Sequence, residues 1–182
     1  MIKKTKTKLI LFSVILFLIP SISFSDYPNT SIGVIDLNKI LAEADAAVGA
    51  SEQIEVIAKE IESEIKKSDE EIIKEQNLLI ESQAIMAPEA FETKRKEYEI
   101  KVQKYNAERQ SKLLRIDELI ALSRNDVLNA LKPILEEISN QKGITILLEK
   151  GSVMLNADKM DITDEVLKKL NKEFPELKVS KN

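Results

Sequence analysis

Residues 50–141 contain no glycine and only two prolines, Pro88 and Pro133. The stretch is built mainly of Glu, Lys, Ile, Leu, Gln, Arg and Ala, with apolar residues at regular spacing. Such composition over that length reads as long helix rather than sheet. Pro88 stands near the middle, in Met86-Ala87-Pro88-Glu89. A proline pushes the preceding residue out of the α region but suits the first turn of a new helix. The chain therefore reads as two long helices with a break at Met86 and Ala87, folded back as a hairpin. At 1.5 Å per residue each arm is on the order of 50 Å long.

Ala58, Ile65, Ile72, Leu79 and Met86 recur every seven residues along the outgoing arm. The companion positions are Ile54, Ile61, Ser68, Glu75 and Ser82, which turn polar after Ile61. A seven-residue repeat packs a helix along a neighbour with left-handed supercoiling. Loss of the second set predicts tight packing near the base and loose packing towards the tip. On the return arm Phe91, Tyr98, Val102 and Tyr105 are spread among charged residues. Leu113, Ile116, Ile120, Val127, Ile134 and Ile138 then form a dense stripe, widened by further leucines. That stripe exceeds a coiled-coil seam, so it must bury against a base, another subunit, or both. Pro133 predicts a kink or a helix start nearby.

The flanks look like a small base. Residues 31–37 read as a strand, with Ile32 and Val34 on one face and Ile35 and Leu37 on the other. Residues 38–44 switch to helical spacing; Gly49 is a bend or cap and Ser51 a helix start. Gly143 should end the return arm. Residues 144–149 read as a second strand, Lys150-Gly151 as a turn, and residues 152–156 as a third strand. Asp161 or Thr163 can cap a closing helix that Pro175 ends, leaving residues 178–182 as a frayed tail. The strands must meet in space, because a lone two-stranded ribbon is marginal in water.

The N-terminus predicts export. Lys3, Lys4, Lys6 and Lys8 precede an apolar run at residues 9–19, short for a membrane span. Ser23-Phe24-Ser25 is a small-x-small pattern that predicts cleavage after Ser25, the alternative being an uncleaved N-terminal anchor. The chain holds 27 basic and 31 acidic residues; without those four lysines the balance is 23 to 31, a formal charge of −8. An acidic chain repels phosphate backbones, which argues against nucleic acid as a partner. With no cysteine, stability must come from packing or oligomerisation rather than disulfides.

The absence of His and Cys excludes Ser-His-Asp and Cys-His sites and histidine or thiolate zinc sites. Four scattered glycines make no phosphate-binding loop. A Ser–Lys dyad of Ser152 and Lys150 is better read as a turn. The pairs Glu70-Glu71 and Glu136-Glu137 lie on solvated helical stretches. We expect no catalytic residue, no cofactor and no metal.

The two ends together resemble the Skp (OmpH-like) family of periplasmic chaperones. The carrying residues are Ile32-Gly33-Val34-Ile35-Asp36, the hairpin with its Met86-Ala87-Pro88-Glu89-Ala90 turn, and the closing segments at residues 144–149, 154–157 and 161–170. The resemblance implies a mainly α fold with a small β base (α+β), in which a long antiparallel hairpin arm projects from a β-rich trimerisation body. Residues 1–25 are then the signal peptide, 26–49 and 112–182 the body, and 50–111 the arm. It implies a homotrimer whose arms hold unfolded outer-membrane proteins in a cavity without ATP, with peripheral membrane or lipid contact open. Arm contacts to such clients would come from Ile72, Leu79, Met86, Phe91, Tyr98, Val102 and Tyr105; the competing reading is that Leu78, Leu79, Ile85, Met86, Phe91, Tyr98 and Tyr105 simply zip the hairpin together. The oligomer interface would draw on Ile32, Val34, Leu113, Ile120, Val127, Ile134, Ile146, Leu148 and Val153. Better-known members are basic, whereas this mature chain is acidic, although residues 94–115 are locally positive. A bland reading of that run is a solvated helical face forming ion pairs. A coiled-coil adaptor joining two envelope partners is the alternative that helical spacing also fits.

Overall fold

In a computed structural model of the chain, residues 30–181 are described. The expected signal segment, residues 1–25, lies outside them. The elements run β1 (Ile32–Ile35), α1 (Leu37–Glu43), α2 (Asp45–Ser82), α3 (Pro88–Lys142), β2 (Ile146–Glu149) and α4 (Thr163–Glu173). Helices α2 and α3 form the hairpin. The break falls where the proline requires it: Ala87 is extended and Pro88 opens α3. Gly143 closes α3 in the left-handed conformation, with φ 65°, which glycine adopts without steric cost.

β1 and β2 pair in parallel, with Ile32 opposite Ile146 and Val34 opposite Leu148. The whole hairpin is the crossover between them. Helix α1 is capped by Asp36, whose carboxylate accepts from the Lys39 amide at 2.9 Å. The amide of Asp36 donates to Thr163 Oγ1 at 2.9 Å, tying β1 to the start of α4. The Asp45 amide, at the start of α2, donates to Asn171 Oδ1 at 3.0 Å.

Two apolar clusters hold these elements. The larger joins Ile35, Ile40 and Ala44 to Val127, Leu131, Ile134 and Ile138 of α3 and to Ile162, Val166 and Leu170. The 127–131–134–138 spacing puts one face of α3 into the base. The smaller cluster, Ile54, Ile57, Ile61 and Leu119, fastens the root of the hairpin. Beyond Ile61 on α2, and before Leu119 on α3, no arm residue is fully buried. The expected gradient is present.

Several local expectations are corrected. Helix α2 starts at Asp45, not Ser51, and passes through Gly49, which neither bends nor caps it. Ala44 is the interruption instead: it is extended, and its methyl is fully buried in the base. No helix starts near Pro133, which sits inside α3. Its flanking residues Leu131 and Ile134 are locked in the core, and packing there outweighs the lost backbone bond.

Residues 152–156 are not a strand. A hairpin over Lys150-Gly151 as a type I′ turn needs positive φ at both positions, but Gly143 is the positive-φ glycine. Lys150–Ser152 forms a 3-10 turn instead, and Met154 and Leu155 stand exposed at 104% and 91%. The chain meets β1 again at Asp161, which bridges to Val34, while the Ile162 amide donates to the Val34 carbonyl at 2.9 Å.

The tail is not frayed. The side-chain amide of Gln53 donates to the Leu177 carbonyl at 2.8 Å and accepts from the Val179 amide at 3.0 Å. Paired backbone groups and a packed valine fix a segment that composition alone reads as loose.

Candidate functional site

The arms carry the candidate surface. On α2, Ile65, Ser68, Ile72, Glu75, Leu79 and Ser82 are all half-buried, as is Met86 in the turn beyond it, so the seam keeps its 3–4 geometry where its chemistry turns polar. Phe91, Tyr98, Val102 and Tyr105 occupy the matching half-buried positions on α3. Polar rungs replace apolar knobs across the gap. The Tyr105 hydroxyl donates to Asp69, which raises the tyrosine pKa. Lys101 pairs with Glu75, and Lys112 with Glu64 at 2.8 Å. Near the tip a shallow groove of about 380 Å³ is lined by Leu78, Leu79 and Tyr98 together with charged residues including Glu75 and Lys101.

All seven residues expected to touch a client thus stand in the seam, brought together but partly covered by the opposite helix. The freely exposed apolar residues of the arms are others: Val56, Ile73, Leu78, Ile80, Ile85 and Ile100, with Ile85 at 88%. Sequence periodicity passed over most of these because they fall outside the heptad. Their signal was available: an isoleucine such as Ile73 or Ile80 off the seam of a two-helix arm has nothing in its own protomer to cover it.

The positive run of residues 94–115 is largely committed to ion pairs. Arg95 holds Glu92 and Glu99 at 2.7 and 2.6 Å. Arg115 holds Glu118 at 2.7 Å. Lys104 reaches Glu108 at 3.7 Å. This is the solvated, paired face.

In the body, Val34, Val127 and Ile134 are buried in the protomer's own core. They have no surface left for a neighbour. Ile32, Ile146 and Leu148 share one exposed face of the sheet, and Leu113 and Ile120 are exposed on α3. Val153 is half-buried. A second groove, of about 480 Å³, lies at the root against Ile54, Ala58, Ile116 and Ile120. The sheet face and the root groove are apolar surface without cover in one protomer.

Lys150 does not form a dyad with Ser152. Its ammonium pairs with Asp161 at 2.7 Å, and this hydrogen bond raises its pKa, the opposite of what a general base needs. Burial pushes the Asp161 carboxyl up, but bonds from Lys150 and Thr163 outweigh it and take its pKa down to about 2. Among the described residues no group of three His, Cys, Asp or Glu could hold a metal, and no helix is long and apolar enough to cross a membrane.

The family of outer membrane proteins described as OmpH-like matches residues 31–170. The chain belongs to the OmpH-like family. The crystal structure of a chain from Caulobacter crescentus, described as an OmpH-like outer membrane chaperone, shares the fold of this OmpH-like chain. The TM-score is 0.76 and the identity 16%, over 84% of this chain and 90% of that one. No curated protein matches the sequence. Family membership supports a chaperone role for this OmpH-like protein.

Proposed function

We propose that this chain is an ATP-independent periplasmic holdase. Three protomers join through their bodies. Their arms enclose a cavity in which an unfolded outer-membrane protein is kept from aggregating. The observation that carries the reading is the pairing of a firm root with an open arm. Ile54, Ile57, Ile61 and Leu119 are buried at the root, whereas Ile73, Ile80, Ile85 and Ile100 are exposed farther out. Scattered apolar side chains on a loosely packed hairpin give many weak contacts and no fixed site, which suits clients of unrelated sequence. The uncovered Ile32, Ile146 and Leu148 face, beside exposed Met154 and Leu155, supports assembly through the body: a two-stranded sheet is marginal alone.

The test is a mixture of the mature chain with a urea-unfolded outer-membrane β-barrel protein, diluted into buffer and run on a sizing column with mass detection. The expected peak contains three copies of this chain and the client. Elution of the chain alone, with the client lost to aggregate, overturns the proposal.

A further inference from the structure

The tail after α4 lies beyond the residues that the family matches, 31–170, yet it is docked with a specific geometry. Residues 177–181 lie along the hairpin root without helix or ladder pairing of their own. Leu177 and Val179, two apart, are half-buried, while Lys178 and Ser180 point outward. Val179 packs on the cluster of Ile54, Ile57, Ile61 and Leu119. Gln53 reads the backbone in both directions, donating to the Leu177 carbonyl and accepting from the Val179 amide. Arg115 donates to the carbonyls of Ser180 and Lys181 at 3.2 and 3.3 Å. The Lys181 ammonium ends the segment against Glu60 at 3.2 Å and Glu64 at 3.0 Å.

Nearly every contact is to backbone, to alternate apolar side chains, or to the Lys181 cation. Such a groove recognises any extended chain with apolar residues at every second position and a basic residue at its end. That is the pattern of a membrane β-strand, whose outward residues are apolar and inward ones polar. We propose that the hairpin root is a docking site for an extended, alternating apolar segment of an unfolded β-barrel client, and that residues 177–181 fill it as an internal competitor. This deepens the holdase reading and rests on it for the identity of the ligand. A tethered occupant acts at an effective concentration in the mM range. It therefore excludes weak, non-alternating segments and yields to a segment that binds better or is itself held nearby by the arms.

The test keeps the full chain and replaces the tail anchors, Leu177→Ser with Val179→Ser and Lys181→Ser. Three labelled probes are followed by fluorescence anisotropy. One copies residues 174–182. One is a nine-residue peptide of alternating leucine and serine ending in lysine. One has that same composition with its leucines in a block. The first two should bind the variant at least about tenfold tighter than the wild-type chain, as removal of a tethered competitor requires, and the blocked peptide should not. Adding Glu60→Lys and Glu64→Lys should reverse the gain. Equal binding of all probes to both chains overturns the proposal. So does binding of the tail copy with no binding of the alternating peptide, which makes the tail a structural latch only. Because the probes need no chaperone assay, a chain that binds them but fails to hold an unfolded barrel protein sinks the holdase reading and leaves the groove standing.

Discussion

A β-carbon placed on Gly33 would lie 2.8 Å from Cδ1 of Ile144, with Leu147 Cδ1 at 3.2 Å. The Ile144 and Leu147 side chains fold over the space that a side chain at Gly33 would take. Gly33→Val must therefore push side chains off their rotamers, at a cost of about 1–3 kcal/mol. Urea unfolding should show a lower midpoint with an unchanged slope.

The packing gradient predicts unequal responses to truncation. Ile138 is buried in the base and Ile72 only half-buried in the seam. Ile138→Ala should cost about 2–5 kcal/mol, and Ile72→Ala about 1 kcal/mol or less. Hydrogen exchange should follow the same order, with amides near Ile134 the slowest and those near the Pro88 turn the fastest.

Acid should loosen two particular closures. Hydrogen bonds from Lys112 and Lys181 hold the Glu64 carboxyl down to a pKa of about 2, and Asp161 is held down to about 2 by Lys150 and Thr163 against its burial. Both values lie below the ordinary 4.5 and 3.8. Depressed values mean that the unfolded chain binds protons first as pH falls. Their stabilisation is full above the ordinary values and is lost as pH falls towards about 2. Glu64→Gln with Asp161→Asn should lower stability at neutral pH and flatten its decline across that window, read by thermal unfolding at each pH.

Much of the hairpin was legible from the sequence, because its signals are local. The heptad of Ala58, Ile65, Ile72, Leu79 and Met86, the Pro88 break and the Gly143 stop each act within a turn or two. The base was less legible, because its contacts are distant. Nothing near residues 152–156 announces that they leave β2 unpaired on that side, or that Asp161 is where the chain next meets the sheet, beside Val34. Likewise, nothing near Val179 announces Gln53. The expected interface residues Val127 and Ile134 looked available because a wide stripe cannot say which part its own base will cover, and Val34 because a strand apolar on both faces does not say which face is covered. Heptad counting also favoured seam residues over the off-seam isoleucines.

Separating seam from surface takes two triple variants. Ile73→Ser, Ile80→Ser and Ile100→Ser should leave helicity by circular dichroism unchanged while shortening client retention several-fold; each removes about 1 kcal/mol or more of apolar contact. Met86→Ser, Phe91→Ser and Tyr98→Ser should instead lower helicity, since these side chains close the hairpin near its tip.

The most direct trial of the central claim is light scattering after an unfolded outer-membrane β-barrel protein is diluted from urea into buffer. With a several-fold excess of this chain assembled as a trimer, and no ATP, scattering should stay near the baseline. Scattering that rises as fast as it does without the chain would contradict a holdase and favour an adaptor that merely links envelope partners.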